Sequence, residues 1–190
     1  MDLLLGVFTA FGLSASAGLN AYIPLLVVGV IAHYTDWITL NNPWDLLANP
    51  WVLIVLGILV IIEMLADKIP VVNHINDAIQ TFIRPTAGAI AFAASANVVT
   101  DISPVLALIC GLLVAGSVHA VKSVAVRPVV TATTGGAGNV PISILEDIFS
   151  IVVSVLAILI PIMVAVILIV AVVLFIQWRQ RRRERANQSI

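Results

Sequence analysis

From Leu3 to Ile31 the chain carries no charged side chain. An α-helix needs roughly 20 apolar residues to cross a hydrocarbon core about 30 Å thick, and this run exceeds that. It lacks the basic n-region of a secretory signal and is too long for one, so it is expected to stay in the chain as a membrane span. The remaining composition points the same way: hydrophobic residues make up 61% and charged residues 10%, where soluble domains carry about 25% charged. A soluble enzyme, a secreted disulfide scaffold and a disordered regulator are excluded on that ground. The single cysteine, Cys110, sits in an apolar run with no internal partner.

Further apolar runs are opened by proline. Asn49-Pro50 reads as an N-cap followed by proline at the first helical position, and that run ends near Asp67, before Ile69-Pro70. A third run extends from about Pro85 to Val99, and a fourth from Ser103-Pro104 to about Arg127, where Pro128 is expected to end it. Between His33 and Trp51 the residues Tyr34, Asp36, Trp37, Trp44 and Asp45 mark an interfacial loop with a short surface helix. The last stretch, Ile148 to Trp178, is opened by a capping box of Ser143 and Glu146. As one helix it would be about 46 Å long. Pro161 divides it: a kinked helix gives five spans in all, a hairpin gives six.

The positive-inside rule selects between them. Arg179, Arg181, Arg182, Arg183 and Arg185 crowd the end of the chain and set it in the cytoplasm. Six spans place Lys68, Arg84, Lys122 and Arg127 on that same side and Asp36, Asp45 and Asp101 opposite, with both termini cytoplasmic. The expected fold is therefore an all-α polytopic membrane protein with six transmembrane helices, five being the alternative, and an amphipathic or re-entrant helix around 71–84. Residues 1–178 form one transmembrane domain and 179–190 a basic cytoplasmic tail.

Small residues recur where helices should meet. Gly6, Ala10, Ser14 and Gly18 fall at every fourth position, and the third run is nearly all small, from Ala87 to Ala96; such faces let backbones approach closely. They suit internal packing, and also a homo-oligomer. Gly57 followed eleven residues later by Lys68 matches Gly111 and Lys122, and Ala10-Phe11 matches Ala91-Phe92, as a duplicated two-helix unit would.

Polar residues inside such a chain require an explanation, because ionisable groups at membrane depth cost a few kcal/mol and face a partner or a wet cavity. Glu63 and Asp67 share a helical face, with Lys68 adjacent. His74, Asp77, Thr81 and Arg84 form a polar ridge on the amphipathic segment, too neutral for the usual interfacial helix. His119, Ser123 and Arg127 follow at i, i+4 and i+8, with Lys122 beside them. The candidate substrate-binding set is Glu63, Asp67, Lys68, His74, Asp77, Arg84, His119, Lys122 and Arg127; the alternative is an internal ion-pair network that only joins helices. Asn20, Tyr22 and Pro24 interrupt the first run, as a bend or as a ligand contact. Gly135, Gly136 and Gly138 form either a linker or an anion-binding nest. Glu146 and Asp147 read as first-turn acids favoured by a helix dipole. No ligand spacing is diagnostic of a metal, and neither metal nor cofactor is expected.

The motifs Gly18-Leu-Asn-Ala-Tyr-Ile-Pro24, Asp67-Lys-Ile-Pro-Val-Val-Asn-His74 to Arg84-Pro85, and His119-Ala-Val-Lys122 to Asn139 together resemble the bacterial membrane proteins grouped as domain of unknown function 4126. The similarity covers residues 1 to about 150. It implies a small polytopic protein of a bacterial cytoplasmic membrane and transfers no catalytic residue.

Three functions compete. A transporter or flippase would bind a small anion or a lipid phosphate head group through Lys68, Arg84, Lys122 and Arg127, with Glu63, Asp67, His74 and Asp77 as proton carriers. A membrane-embedded lipid-phosphate enzyme would use similar groups, but the Pro-Gly-Ser-Arg-Ser signature of the undecaprenyl-pyrophosphate phosphatases is absent. A non-catalytic assembly or scaffold protein needs only the packing stripes. The expected partners are membrane lipids and an anionic substrate; no nucleic-acid surface is visible.

Overall fold

The computed structural model describes residues 3–68, 70–96 and 103–161 and part of 163–179. Every regular element among them is helical. The order is α1 (Leu3–Leu19), α2 (Tyr22–Tyr34), a short 3-10 helix (Trp44–Ala48), α3 (Pro50–Ala66), α4 (Pro70–Ala96), α5 (Pro104–Ala120), a π-helical segment (Val121–Val126), α6 (Arg127–Thr134) and α7 (Asn139–Leu159). Ile160 breaks the helix with φ −140° and ψ 67°, and the described positions from 161 to 179 are helical again. The break falls where Pro161 divides the last apolar stretch.

The first apolar run is not one span. It folds back on itself at Asn20, so that Thr9 and Leu13 of α1 line one cleft with Val28 of α2. Asn20 makes the turn possible: its Oδ1 accepts the N–H groups of Tyr22 and Ile23, two of the donors that a helix start leaves unpaired. Partners fix the direction of each arm. Ser14 and Gly18 of α1 meet Gly111 and Ala115 of α5, running parallel, whereas Ala21 and Gly29 of α2 meet Glu63 and Leu53 of α3, running antiparallel. α1 and α2 are thus an antiparallel pair whose turn lies at the end of the molecule where α3 and α5 finish.

Two proline expectations also fail, for physical reasons. The amphipathic segment and the third run form one helix, with Pro85 inside α4; its ring lies 3.6 Å from where a Cβ on Gly116 would stand, so α5 leaves it room. Pro128 does not end the fourth run either. The turn before it is π-helical, with the N–H of Arg127 bonded to the carbonyl of Lys122, five residues back. That wider turn relieves the clash between a proline ring and the carbonyl four residues earlier. The helix from Pro104 continues to Thr134, and with α7 it is one of two described helices long and apolar enough to cross a membrane.

Packing is tightest where side chains are smallest. A Cβ on Gly88 would stand 2.2 Å from that of Ala115, and one on Gly111 would stand 2.4 Å from the carbonyl oxygen of Gly88, so α4 and α5 touch backbone to backbone. Phe11 and Phe92, from the two matched dipeptides, stack edge to face with centroids 5.1 Å apart. Along the α1–α7 seam a buried hydroxyl ladder replaces aliphatic contact. Ser16 Oγ bonds Ser150 Oγ at 2.8 Å and Ser154 Oγ at 2.7 Å, and Thr9 Oγ1 donates to the carbonyl of Ala157. Outward, α3 presents Ile54, Val55, Ile58, Ile61, Ile62 and Leu65, each more than half exposed. An apolar exterior of this extent belongs to a protein that associates with a membrane.

Candidate functional site

The ends of α3 and α5, the turn at Asn20, the first half of α4 and the first turns of α7 converge on one buried cluster of charge. Glu63 lies one turn inside the end of α3. Its Oε1 accepts Nη2 and Nε of Arg84 at 2.8 and 3.1 Å, and its Oε2 accepts the N–H of Ala21 at 3.1 Å. Arg84 is fully buried. The carboxylate therefore sits on the N–H of Ala21, the N-cap residue of α2, where the helix dipole favours negative charge, and in the fork of a guanidinium. The opposite pole is engaged too: Lys122 Nζ donates to the carbonyl of Leu19, the last residue of α1, at 3.1 Å. A cation and an anion from neighbouring helices thus hold the two helix ends that the turn at Asn20 exposes.

Asp67 is the hub. Its Oδ2 lies 2.9 Å from Arg127 Nη2, 3.5 Å from Arg84 Nη2 and 3.6 Å from Lys122 Nζ, while its Oδ1 accepts Nδ2 of Asn76 at 2.7 Å. Arg127 also pairs with Asp77, and Lys122 with Glu146 at 2.7 Å. Arg84 Nη1 lies 3.2 Å from His119 Nδ1. Guanidinium can only donate, so Nδ1 accepts and the proton of the neutral ring sits on Nε2, which faces Thr81 Oγ1 at 3.2 Å. Exposure falls along the cluster from Lys68 and Asp77 at the rim to Arg84 at the bottom, with side-chain values of 32%, 20% and 0%.

Seven of the nine residues expected from the sequence are brought into direct contact: Glu63, Asp67, Asp77, Arg84, His119, Lys122 and Arg127. Lys68 stands at the margin, donating to the carbonyl of Met64 and 3.9 Å from Asp147. His74 belongs to α4, but its side chain lies outside the described residues. Ser123 does not join His119. The π segment turns the register so that Lys122 is buried and Ser123 faces outward to bond the carbonyl of Ala120.

The sequence reading missed the contribution of α7. That helix starts at Asn139, not at Ser143, so Ser143 and Glu146 form no capping box and Glu146 and Asp147 are not first-turn acids. All three face inward: Ser143 Oγ lies 3.5 Å from Asp67, Glu146 pairs with Lys122, and Asp147 accepts Nδ2 of Asn20 at 3.0 Å. The signal that sets the start is Pro141, which a first turn tolerates. The glycine-rich connector stays apart. Gly135 and Gly136 turn with φ of 61° and 91°, and the hydroxyls of Thr131, Thr133 and Thr134 bond within the same corner. Among the described residues no three histidine, cysteine or acidic side chains are grouped to hold a metal ion.

A family model, described as a domain of unknown function and designated DUF4126, matches residues 7–181. The chain belongs to this family. The DUF4126 match takes in every charged group of the cluster and continues past the residues that carry the sequence resemblance, through α7 and the segment beyond it. No curated protein and no solved structure matches the chain.

Proposed function

We propose that the protein is a polytopic membrane transporter or flippase for a small anion or a lipid phosphate head group, residing in a bacterial cytoplasmic membrane with its basic tail inside. One observation carries this reading: the carboxylate of Glu63 rests between the N–H of Ala21 and the guanidinium of Arg84. A helix start and a buried guanidinium together form a receptor for an oxyanion, here filled by the protein's own acid. Lys122 and Arg127 are likewise held by resident carboxylates. A substrate anion would compete with those acids for the same donors, and protonation of the displaced acid would leave the net charge of the cluster unchanged.

The expected count of six spans takes the first run as a single crossing, whereas the hairpin at Asn20 returns it to the side from which it entered. In the proposed topology the cluster end, rich in Lys68, Arg84, Lys122 and Arg127, faces the cytoplasm. α3, α4, the Pro104–Thr134 helix and α7 each cross, and residues 161–179 return to the inside.

Binding to the purified protein of inorganic phosphate, small carboxylates and phosphorylated lipids tests this reading. Arg84→Lys and Arg127→Lys should elute as folded protein and weaken anion binding by about tenfold, the worth of one lost charge-assisted hydrogen bond. No binding across the panel, or unchanged affinity in both variants, would leave the cluster as a fastener between helices and the protein as a scaffold.

A further inference from the structure

Among the described residues the cluster does not balance. Its described members supply four cations, Lys68, Arg84, Lys122 and Arg127, and five carboxylates, Glu63, Asp67, Asp77, Glu146 and Asp147. One negative charge is left over in a buried site, where an uncompensated ion is costly.

Asp77 Oδ1 and Glu146 Oε2 lack a hydrogen-bond partner among the described residues, but each of those acids is paired with a close cation, Asp77 with Arg127 and Glu146 with Lys122; the acid without one is Asp147. Asp147 is 4% exposed, and its Oδ1 is served by Asn20, but its Oδ2 is buried with no hydrogen-bond donor among the described residues. Buried carboxylate oxygens are rarely left so. The nearest cation, Lys68 Nζ, is 3.9 Å away, a third exposed, and already donates to Met64. The neighbouring hydroxyls on the same face of α7 are committed elsewhere, Ser143 toward Asp67 and Ser150 toward Ser16. The charged groups that face Asp147 are Lys68 and Asp67 from the end of α3 and Lys122 from the π segment, with Glu146 beside it on α7. None of them supplies Oδ2 with a donor.

We propose that Asp147 is the binding site of one unipositive ion, a proton or a sodium ion, and that this ion is the partner coupled to the anion. The chemistry in either case is a small hard cation on a carboxylate oxygen, completing the charge balance of the cluster. Asn20 ties the site to the helix turn, because the amide that donates to Asp147 also caps α2 with its oxygen. The ion and the oxyanion receptor at Ala21 therefore share one structural element. This inference rests on the transport reading and names its coupling ion.

The test is thermal unfolding of the full-length protein in detergent, with sodium titrated against choline at fixed pH and with pH varied from 5 to 8 without sodium. An ion that binds only the folded state stabilises it. Wild type should gain roughly 3–6 °C at tenfold excess over the dissociation constant, either with sodium or as the pH falls; a bound proton contributes at low pH and is lost as the pH rises. Asp147→Asn should not respond to that ion. If the asparagine variant does not fold, Lys68→Met carries the test: removing the nearest cation should move the midpoint to roughly tenfold lower sodium or about one pH unit higher. Equal responses in wild type and Asp147→Asn, or an unmoved midpoint in Lys68→Met, would overturn the proposal. An intact ion response without anion binding would sink the transport reading alone.

Discussion

Gly88 and Gly57 sit in apolar helices and look interchangeable in the sequence, yet they differ in what surrounds them. A methyl group on Gly88 would collide with Ala115, whereas one on Gly57 meets nothing within 4 Å. Gly88→Ala should therefore cost about 1–3 kcal/mol through overpacking, and Gly57→Ala should be tolerated. Unfolding temperatures of the two variants decide it, and equal stability would mean that α4 and α5 can separate without loss. At this scale the acids and bases were readable, since Glu63, Arg84 or His119 in an apolar context has few places to go but a partner. Their pairing was not, because it depends on which helices meet. Asn20 shows the limit most clearly: one amide caps α2 and holds Asp147, two roles that sequence position does not distinguish from a simple bend.

At the scale of elements, apolar runs gave the helices and proline misplaced their ends. Asn49-Pro50 starts α3 as its sequence pattern indicates, with Asn49 Oδ1 accepting the N–H of Trp51. Pro85 and Pro128 look like equally good boundaries and are neither. One is accommodated by a glycine on the neighbouring helix, the other by the π turn, and neither device has a local sequence signature. The π segment places Lys122 and Arg127, five residues apart, on the same side of the helix. Deleting one residue there, such as the outward-facing Val124, should restore α geometry with Lys122 and Arg127 at i and i+4, still on one face. Arg127 would stay with Asp67 and Asp77, but the ring of Pro128 would meet the carbonyl four residues back, at a cost of about 3 kcal/mol. Val124→Ala is the control and should stay within about 0.5 kcal/mol of wild type. Comparable melting of the deletion and the control would show that the π turn is not what accommodates Pro128.

For the whole molecule, charge placement and the hairpin at Asn20 together set the sidedness of the proposed topology. The α1–α2 pair brings the N-terminal end of α1 to the end of the bundle that carries Tyr34 and Trp51, remote from the basic cluster. A reporter placed before Met1 should then read outside and one placed after Ile190 inside; matching signals would require α1 and α2 to be a single crossing after all. The lengths of the helices have a further implication. α3 has 17 residues, about 25 Å at 1.5 Å per residue, while the helix from Pro104 to Thr134 has 31, about 46 Å. α3 is shorter than a typical hydrocarbon core, whereas the helix from Pro104 extends past its apolar part to carry Lys122 and Arg127 at the charged end. In the proposed topology the protein would therefore thin the bilayer along α3. It would settle where the bilayer is thin and gather short-chain lipids along α3, so the membrane's own mechanics help decide where such a protein resides.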